Sequence, residues 1–224
     1  MKSLWDLRDQ PEKKPRMPLS LSAIVDTAIE IADNDGIEAV SMQRIAADLG
    51  FTKMSLYRHV SNKSELLSLV IDTAVGEPPD LSEVPGGWRA RLEEYVRLLS
   101  DVWRQHPWLP TVTVGARVMG PREAGWTESA VATLAGTGLT SDERLAAAFI
   151  VSGHVRNTQS LATAGTQAWS GGSELAELIN SRAELFPELS RALSRPTPAL
   201  DDNARKFGLD RFLDGLAALI EERS

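Results

Sequence analysis

The chain contains no cysteine in its 224 residues. It therefore holds no disulfide framework, no thiolate metal site and no cysteine nucleophile, which favours a cytoplasmic protein and leaves zinc chemistry little to work with. Long hydrophobic runs are absent too. Nowhere do 18 uninterrupted apolar residues offer a membrane span, and the opening MKSLWDLRDQPEKKPR lacks the apolar stretch of a signal peptide. No alternating pattern is long enough to build a sheet, and no segment repeats. Nucleophile–base pairs, metal-ligand spacings and phosphate loops are also missing, and Gly171-Gly172 reads as a plain loop break. What is present is 42% hydrophobic residues, ample for a packed core.

Lys and Arg are outnumbered, with a formal charge of −7, but the charge is unevenly spread. Residues 20 to 40 carry five acids and no Lys or Arg, whereas residues 41 to 64 carry Arg44, Lys53, Arg58 and Lys63 against Asp48 alone. Residues 1 to 18 are also basic, with five cations against three acids. Any polyanion must therefore meet the first sixty-odd residues. The KKPR stretch reads either as an ordinary flexible terminus or as a basic arm entering a minor groove.

Apolar spacing organises the rest as helices. Leu21, Ile24, Val25, Ala28, Ile31 and Ala32 form one stripe, which Ser20 or Ser22 can cap and Gly36 can stop. A second helix opens at Ser41 and ends at Gly50, a third runs Lys53 to His59, and a fourth begins at Asn62, with Asn62 and Glu65 as a capping box. Gly76 to Gly87 holds three prolines and three glycines in twelve residues, too many breakers for a helix, and marks a hinge. Beyond it, helices are predicted over Trp88 to His106, Thr111 to Met119, Pro121 to Leu134, Ser141 to Ala164, Ser173 to Leu193 and Leu209 to Glu222. The expected organisation is all-α with nine to ten helices: a flexible arm (1–18), a DNA-binding domain with its linking helix (19–75), a hinge (76–87) and a ligand-binding and dimerisation domain (88–224).

SMQRIAADLGFTKMSLYRHVSNKSEL reads as a helix-turn-helix. Ile45, Ala46, Leu49, Leu56 and Val60 can pin the third helix across the second, leaving Lys53, Met54, Ser55, Tyr57, Arg58 and His59 outward for a major groove. The run Leu19 to Ala74 resembles the DNA-binding domain of the tetracycline-repressor (TetR) family: Gly36, IAADLG, SLYRHVSNKSELL and the following cap stand in the family's order. RAELFPEL and FGLDRFLDGLAALIEE resemble the ligand domain of the tetracycline-repressor branch. The resemblance implies base-edge contacts at Gln43, Lys53, Met54 and Ser55, and phosphate contacts at Ser41, Tyr57, His59 and Lys63; Arg44 and Thr52 are further candidates for DNA contact, and Arg58 reads either as a DNA contact or as a solvated surface charge. The tetracycline repressor has arginine at Gln43 and glutamine and proline at Lys53 and Met54, so a different operator is expected. Its magnesium-binding residues do not map here, so neither metal nor cofactor is expected.

Five of the six tryptophans lie beyond the hinge. They read as core, or as the wall of an apolar pocket with a few placed polar groups. Trp103, Trp126, Phe149, His154 and Asn157 are the candidate effector contacts, although His154 and Asn157 share a face with Ile150 and Leu161 that fits a core or dimer-interface hydrogen bond equally. The expected function is a ligand-responsive regulator, not an enzyme. As a repressor it would bind palindromic double-stranded operator DNA and be released by a small apolar or aromatic effector. The expected homodimer would form through helices 141–164 and 209–222. A helical enzyme or adaptor with an incidental helix-turn-helix is the alternative.

Overall fold

The computed structural model describes residues 18–161, 174–194 and 205–223, and every regular element among them is helical. The α-helices are α1 (Leu21–Asp35), α2 (Met42–Leu49), α3 (Lys53–Leu56), α4 (Lys63–Ala74), α5 (Gly87–Gln105), α6 (Leu109–Val112), α7 (Pro121–Thr133), α8 (Ser141–Leu161), α9 (Glu174–Asn180), α10 (Pro187–Leu193) and α11 (Arg205–Glu221). A 3-10 turn occupies Ile37–Ala39. Residues 1–17 of the basic arm, Trp169 and the last three residues expected for α8 lie outside the described residues.

Short polar side chains start the first four helices. Ser20 accepts from the Ala23 N–H at 3.1 Å, Ser41 from Arg44 at 3.1 Å, Thr52 from Ser55 at 3.2 Å and Asn62 from Glu65 at 2.9 Å. Each satisfies a backbone donor that the first turn leaves free. Gly50 ends α2 in the left-handed conformation, φ 70° and ψ 29°. Gly36 differs from the expected left-handed stop, with φ 87° but an extended ψ of 158°.

Three predicted helices are corrected. The helix expected over Lys53 to His59 ends as α3 at Leu56, and Tyr57 to His59 continue as a tighter turn in which the His59 N–H meets the Leu56 carbonyl at 2.8 Å. The segment Thr111 to Met119 is only the end of α6, because Pro110 lets the helix begin early and Gly115, at φ 84°, takes the chain out of it. The predicted helix 173–193 divides into α9 and α10: turns occupy 181–185, and Pro187, which fits the first turn of a helix but not its interior, starts α10.

One apolar cluster runs through the molecule. Ile24, Ala28, Ile45, Leu56 and Val60 join α1, α2 and α3; Leu66, Val70 and Ile71 of α4 carry it onward to Leu92, Val96, Trp103 and Val151 of α5 and α8. Leu213 and Leu216 of α11 are buried in the same cluster, while α9 and α10 share a small one of their own around Ala176, Ile179 and Leu193.

Two carboxylates tie the N-terminal helices to the rest. Asp33 of α1 accepts from the Trp108 indole at 2.7 Å and lies 2.8 Å from Nδ1 of His106. Asp72 of α4 accepts from the backbone N–H groups of Arg122 at 2.9 Å and Glu123 at 3.1 Å, the first turn of α7. The N-cap of α7 is Gly120, which has no side chain to cap with, and a Cβ there would fall 2.1 Å from the Asp72 carboxylate. The segment between α4 and α5 has no helix but is fastened down. Gly76 accepts from the Trp126 indole, Pro79 from the Ser129 hydroxyl, and Glu77 pairs with Arg122.

Gly36→Ala should destabilise the fold by about 1–3 kcal/mol, since its backbone region is one that almost only glycine visits. The added methyl meets no atom within 4 Å, so the loss measures backbone strain alone. A denaturant titration with an unchanged midpoint would contradict this.

Candidate nucleic-acid interface and aromatic cavity

The buried face of the helix-turn-helix is Ile45, Ala46, Leu56 and Val60, and pinning it leaves the opposite face open. Gln43, Arg44, Thr52, Lys53, Met54, Tyr57, Arg58, His59 and Lys63 are exposed, and Ser41 and Ser55 partly so. All eleven predicted DNA-facing residues are therefore reachable. Met54 is 72% exposed, an apolar side chain free to meet a thymine methyl. The Lys53 ammonium lies 5.7 Å from the Tyr57 ring centroid, a cation–π contact that limits where its charge can point.

The caps hold the hydroxyls in place. Ser41 Oγ accepts from the Arg44 N–H, which leaves its own proton out of that bond, whereas Thr52 and Ser55 share a hydroxyl contact of 2.9 Å. Lys63 occupies the first position of α4, where the helix dipole adds to its charge. Glu65 locks this start by accepting from the Ser61 N–H at 2.7 Å, one residue before the donor expected for the capping box. That bond holds the Glu65 carboxyl below the usual carboxylate range. Arg44 is already engaged with Asp35 and Asp48, both at 3.0 Å. Such exposed pairs are weak, about 0–1 kcal/mol, and can yield to a phosphate.

A second site lies among α5, α7, α8 and the segment after α6. This cavity of about 120 Å³ is walled by Leu99, Trp103, Trp126 and Phe149, with Phe149 standing 56% exposed. Tyr95 packs edge-on to Trp126, centroids 5.8 Å apart, and its hydroxyl meets that of Ser152 at 3.0 Å. Burial pushes the Tyr95 phenol above its ordinary value. Arg117 forks onto the buried carboxylate of Glu123, one contact being 2.7 Å. Arg156 completes the lining, its guanidinium carbon 5.8 Å from the Trp103 centroid.

The structure brings three of the five candidate effector contacts together, Trp103, Trp126 and Phe149. The other two stand elsewhere. His154 turns to α11, where Nε2 lies 2.8 Å from the Arg205 carbonyl and the ring fills the space that a side chain at Gly208 would take. Asn157 is exposed on α8. Sequence reasoning missed Ser152 and Arg156, yet helical geometry could have found them. At about 100° per residue, Ser152 and Arg156 lie within about 60° of Phe149 around the helix, whereas His154 lies about 140° away.

Comparison with known proteins agrees along the chain. Residues 24–70 match the family model "Bacterial regulatory proteins, tetR family", and residues 79–220 match "Tetracyclin repressor-like, C-terminal domain". The HTH-type transcriptional repressor DrrR1 of Streptomyces coeruleorubidus is 34% identical over 234 aligned residues, covering 98% of this chain and 85% of that protein. The crystal structure of apo ActR from Streptomyces coelicolor superposes with a TM-score of 0.77 at 31% identity, covering 93% of this chain and 99% of that one. ActR in complex with actinorhodin gives a TM-score of 0.71 at 30% identity, covering 90% and 96%. With an open helix-turn-helix face in its N-terminal quarter and family matches on both sides of residues 76–78, the chain belongs to the TetR family of bacterial transcriptional regulators.

Proposed function

We propose that this TetR-family regulator is a repressor that grips a palindromic operator through α3 and the helix starts around it, and lets go when a small aromatic effector fills the cavity beside α7. The observation that carries this reading is the Asp72 cap. The helix that supplies Glu123 and Trp126 to the cavity is the one whose first turn Asp72 of α4 holds. An effector that shifts α7 therefore moves α4, and with it the recognition helix. A relative 30% identical to this chain has been crystallised with a bound small molecule, which supports a ligand-responsive role. The division into residues 19–75, a connector 76–87 and 88–224 belongs to the same reading, as does a place in the cytoplasm, where operator DNA is.

Among the DNA-facing residues, Gln43, Lys53, Met54 and Ser55 take base edges. Ser41, Tyr57, His59 and Lys63 take phosphates, with Arg44, Thr52 and Arg58 beside them. Trp103, Trp126 and Phe149 are the effector contacts retained; His154 has a structural partner instead. A homodimer forms through α8 and α11. Ile150 of α8 stands 53% exposed in the single chain, and a second copy laid on α8 and α11 would cover it in a four-helix arrangement. Leu216, by contrast, is already buried within the chain, so substituting it would test folding.

An electrophoretic shift with DNA flanking the chain's own gene tests the function directly. A discrete complex resisting competitor DNA is expected; equal affinity for random sequence would refute the reading. Lys63→Ala should weaken all sequences alike and lower the salt slope by roughly one unit per half-site. Lys53→Ala should cost about 1–3 kcal/mol of discrimination at one operator position, and a loss equal on operator and random DNA would reassign it to a phosphate. Ile150→Asp should shift the dimer to monomer in sedimentation velocity while helical content is kept; an unchanged dimer would move the interface elsewhere. In Asp72→Ala the effector should still quench tryptophan fluorescence but no longer change operator affinity by the roughly 5- to 150-fold typical of such coupling. Undiminished release of DNA would place the connection elsewhere.

A further inference from the structure

The cavity carries a charge that no carboxylate answers among the described residues. Arg156 reaches into it from α8 and is half-buried; its Nε is sealed from solvent without a hydrogen-bond partner, and no ion pair reaches it among the described residues. The other guanidinium of the lining is taken, since Arg117 is forked onto Glu123. The lining therefore holds two cations and one anion, in a protein whose net charge is −7. Burial, and after it repulsion from Arg117, lowers the pKa of Arg156. A partly desolvated cation without a partner is unfavourable. The same group facing a carboxylate makes two parallel, charge-assisted hydrogen bonds.

The choice of side chain fits that use. A lysine would be a compact charge on a flexible stem, but the planar guanidinium can pack on an indole and present its fork edge to an acid at once. Trp103 supplies the indole, 5.8 Å away. Trp126 and Phe149 complete a surround suited to a flat ring. Space sets a further condition, because about 120 Å³ accommodates roughly a single aromatic ring. A larger ring system extends past Phe149 toward solvent or presses on the segment 113–120, which carries Arg117 and leads into the α7 turn capped by Asp72.

We propose that the effector is an aromatic acid whose carboxylate docks on Arg156 while its ring lies between Trp103, Trp126 and Phe149. This rests on the ligand-responsive reading of the same cavity. An aromatic ring system wider than one ring acts as inducer by displacing the Arg117 segment, and the acid selects it against neutral aromatics of the same shape.

The test uses the full chain and two probes of nearly equal shape, 2-naphthoate and the neutral 2-naphthamide, in equilibrium dialysis. The acid should bind about ten- to a hundredfold more tightly, the range expected of a hydrogen-bonded ionic contact. Arg156→Gln should remove that preference and Arg156→Lys should keep part of it. Because each variant is judged by the ratio of its own two affinities, a general loss of stability cannot imitate the result. Equal binding of acid and amide, a preference that survives Arg156→Gln, or no binding of either probe would each overturn the proposal. An operator shift run on the same protein separates the two levels. A chain that shifts operator DNA but shows no preference for the acid remains a DNA-binding regulator and loses this effector class; a chain that shifts no operator loses the functional reading itself.

Discussion

A helix whose N-cap is glycine has a first turn of backbone N–H groups in need of an acceptor, and here the acceptor comes from another region of the chain. Asp72 supplies it from α4, and Gly120 leaves the room for its carboxylate. The interaction is short-ranged and directional, so α4 and α7 have little freedom to slide independently. It also sits at the positive end of the α7 dipole, where a carboxylate is favoured. Glu123 contributes its backbone to this seat and its side chain to Arg117 in the cavity wall. A few polar groups thus join the part of the chain that faces DNA to the part that can hold a small molecule.

The connector after α4 follows from the same constraint. Its prolines and glycines exclude a helix, but its carbonyls are bonded to Trp126 and Ser129, and Pro78 packs closely against Gly125. It is a strap laid along α7 more than a free hinge. The Asp33 contact with Trp108 and His106 holds α1 at a second point. The two attachments differ in kind, since one grips side chains and the other the start of a helix. Asp72 joins α4 to the start of α7 and Asp33 joins α1 to the end of α5, and the proposed switch rests on the first of these attachments.

Charge is arranged with comparable economy. An acidic protein presents a DNA-facing surface because its few N-terminal cations are grouped on α2, α3 and the start of α4, where short polar caps already expose helix N-termini. Arg44 is the exception, held by Asp35 and Asp48. In the cavity the logic is reversed. One arginine is neutralised by Glu123, and the other has no carboxylate partner among the described residues and lies against an indole, which is the basis of the proposed selection by charge.

Apolar periodicity, caps and breakers in the sequence determined the all-helical class, the helix-turn-helix and its outward residues, and the start of each of the first four helices. These depend on neighbours within a turn or two, so local chemistry suffices. The residues Thr111 to Met119 and 173–193 were less legible, because a single Gly115 or Pro187 outweighs an otherwise helical pattern. Tertiary structure decided which neighbour each face of α8 meets: Phe149, Ser152 and Arg156 line the cavity, while His154 meets the Arg205 carbonyl of α11, 51 residues along the chain. It alone paired Asp72 with α7, at a separation of 50 residues. A helical stripe shows which residues share a face but not which neighbour that face will meet, and the charge balance of a cavity is a sum over groups that only folding brings together.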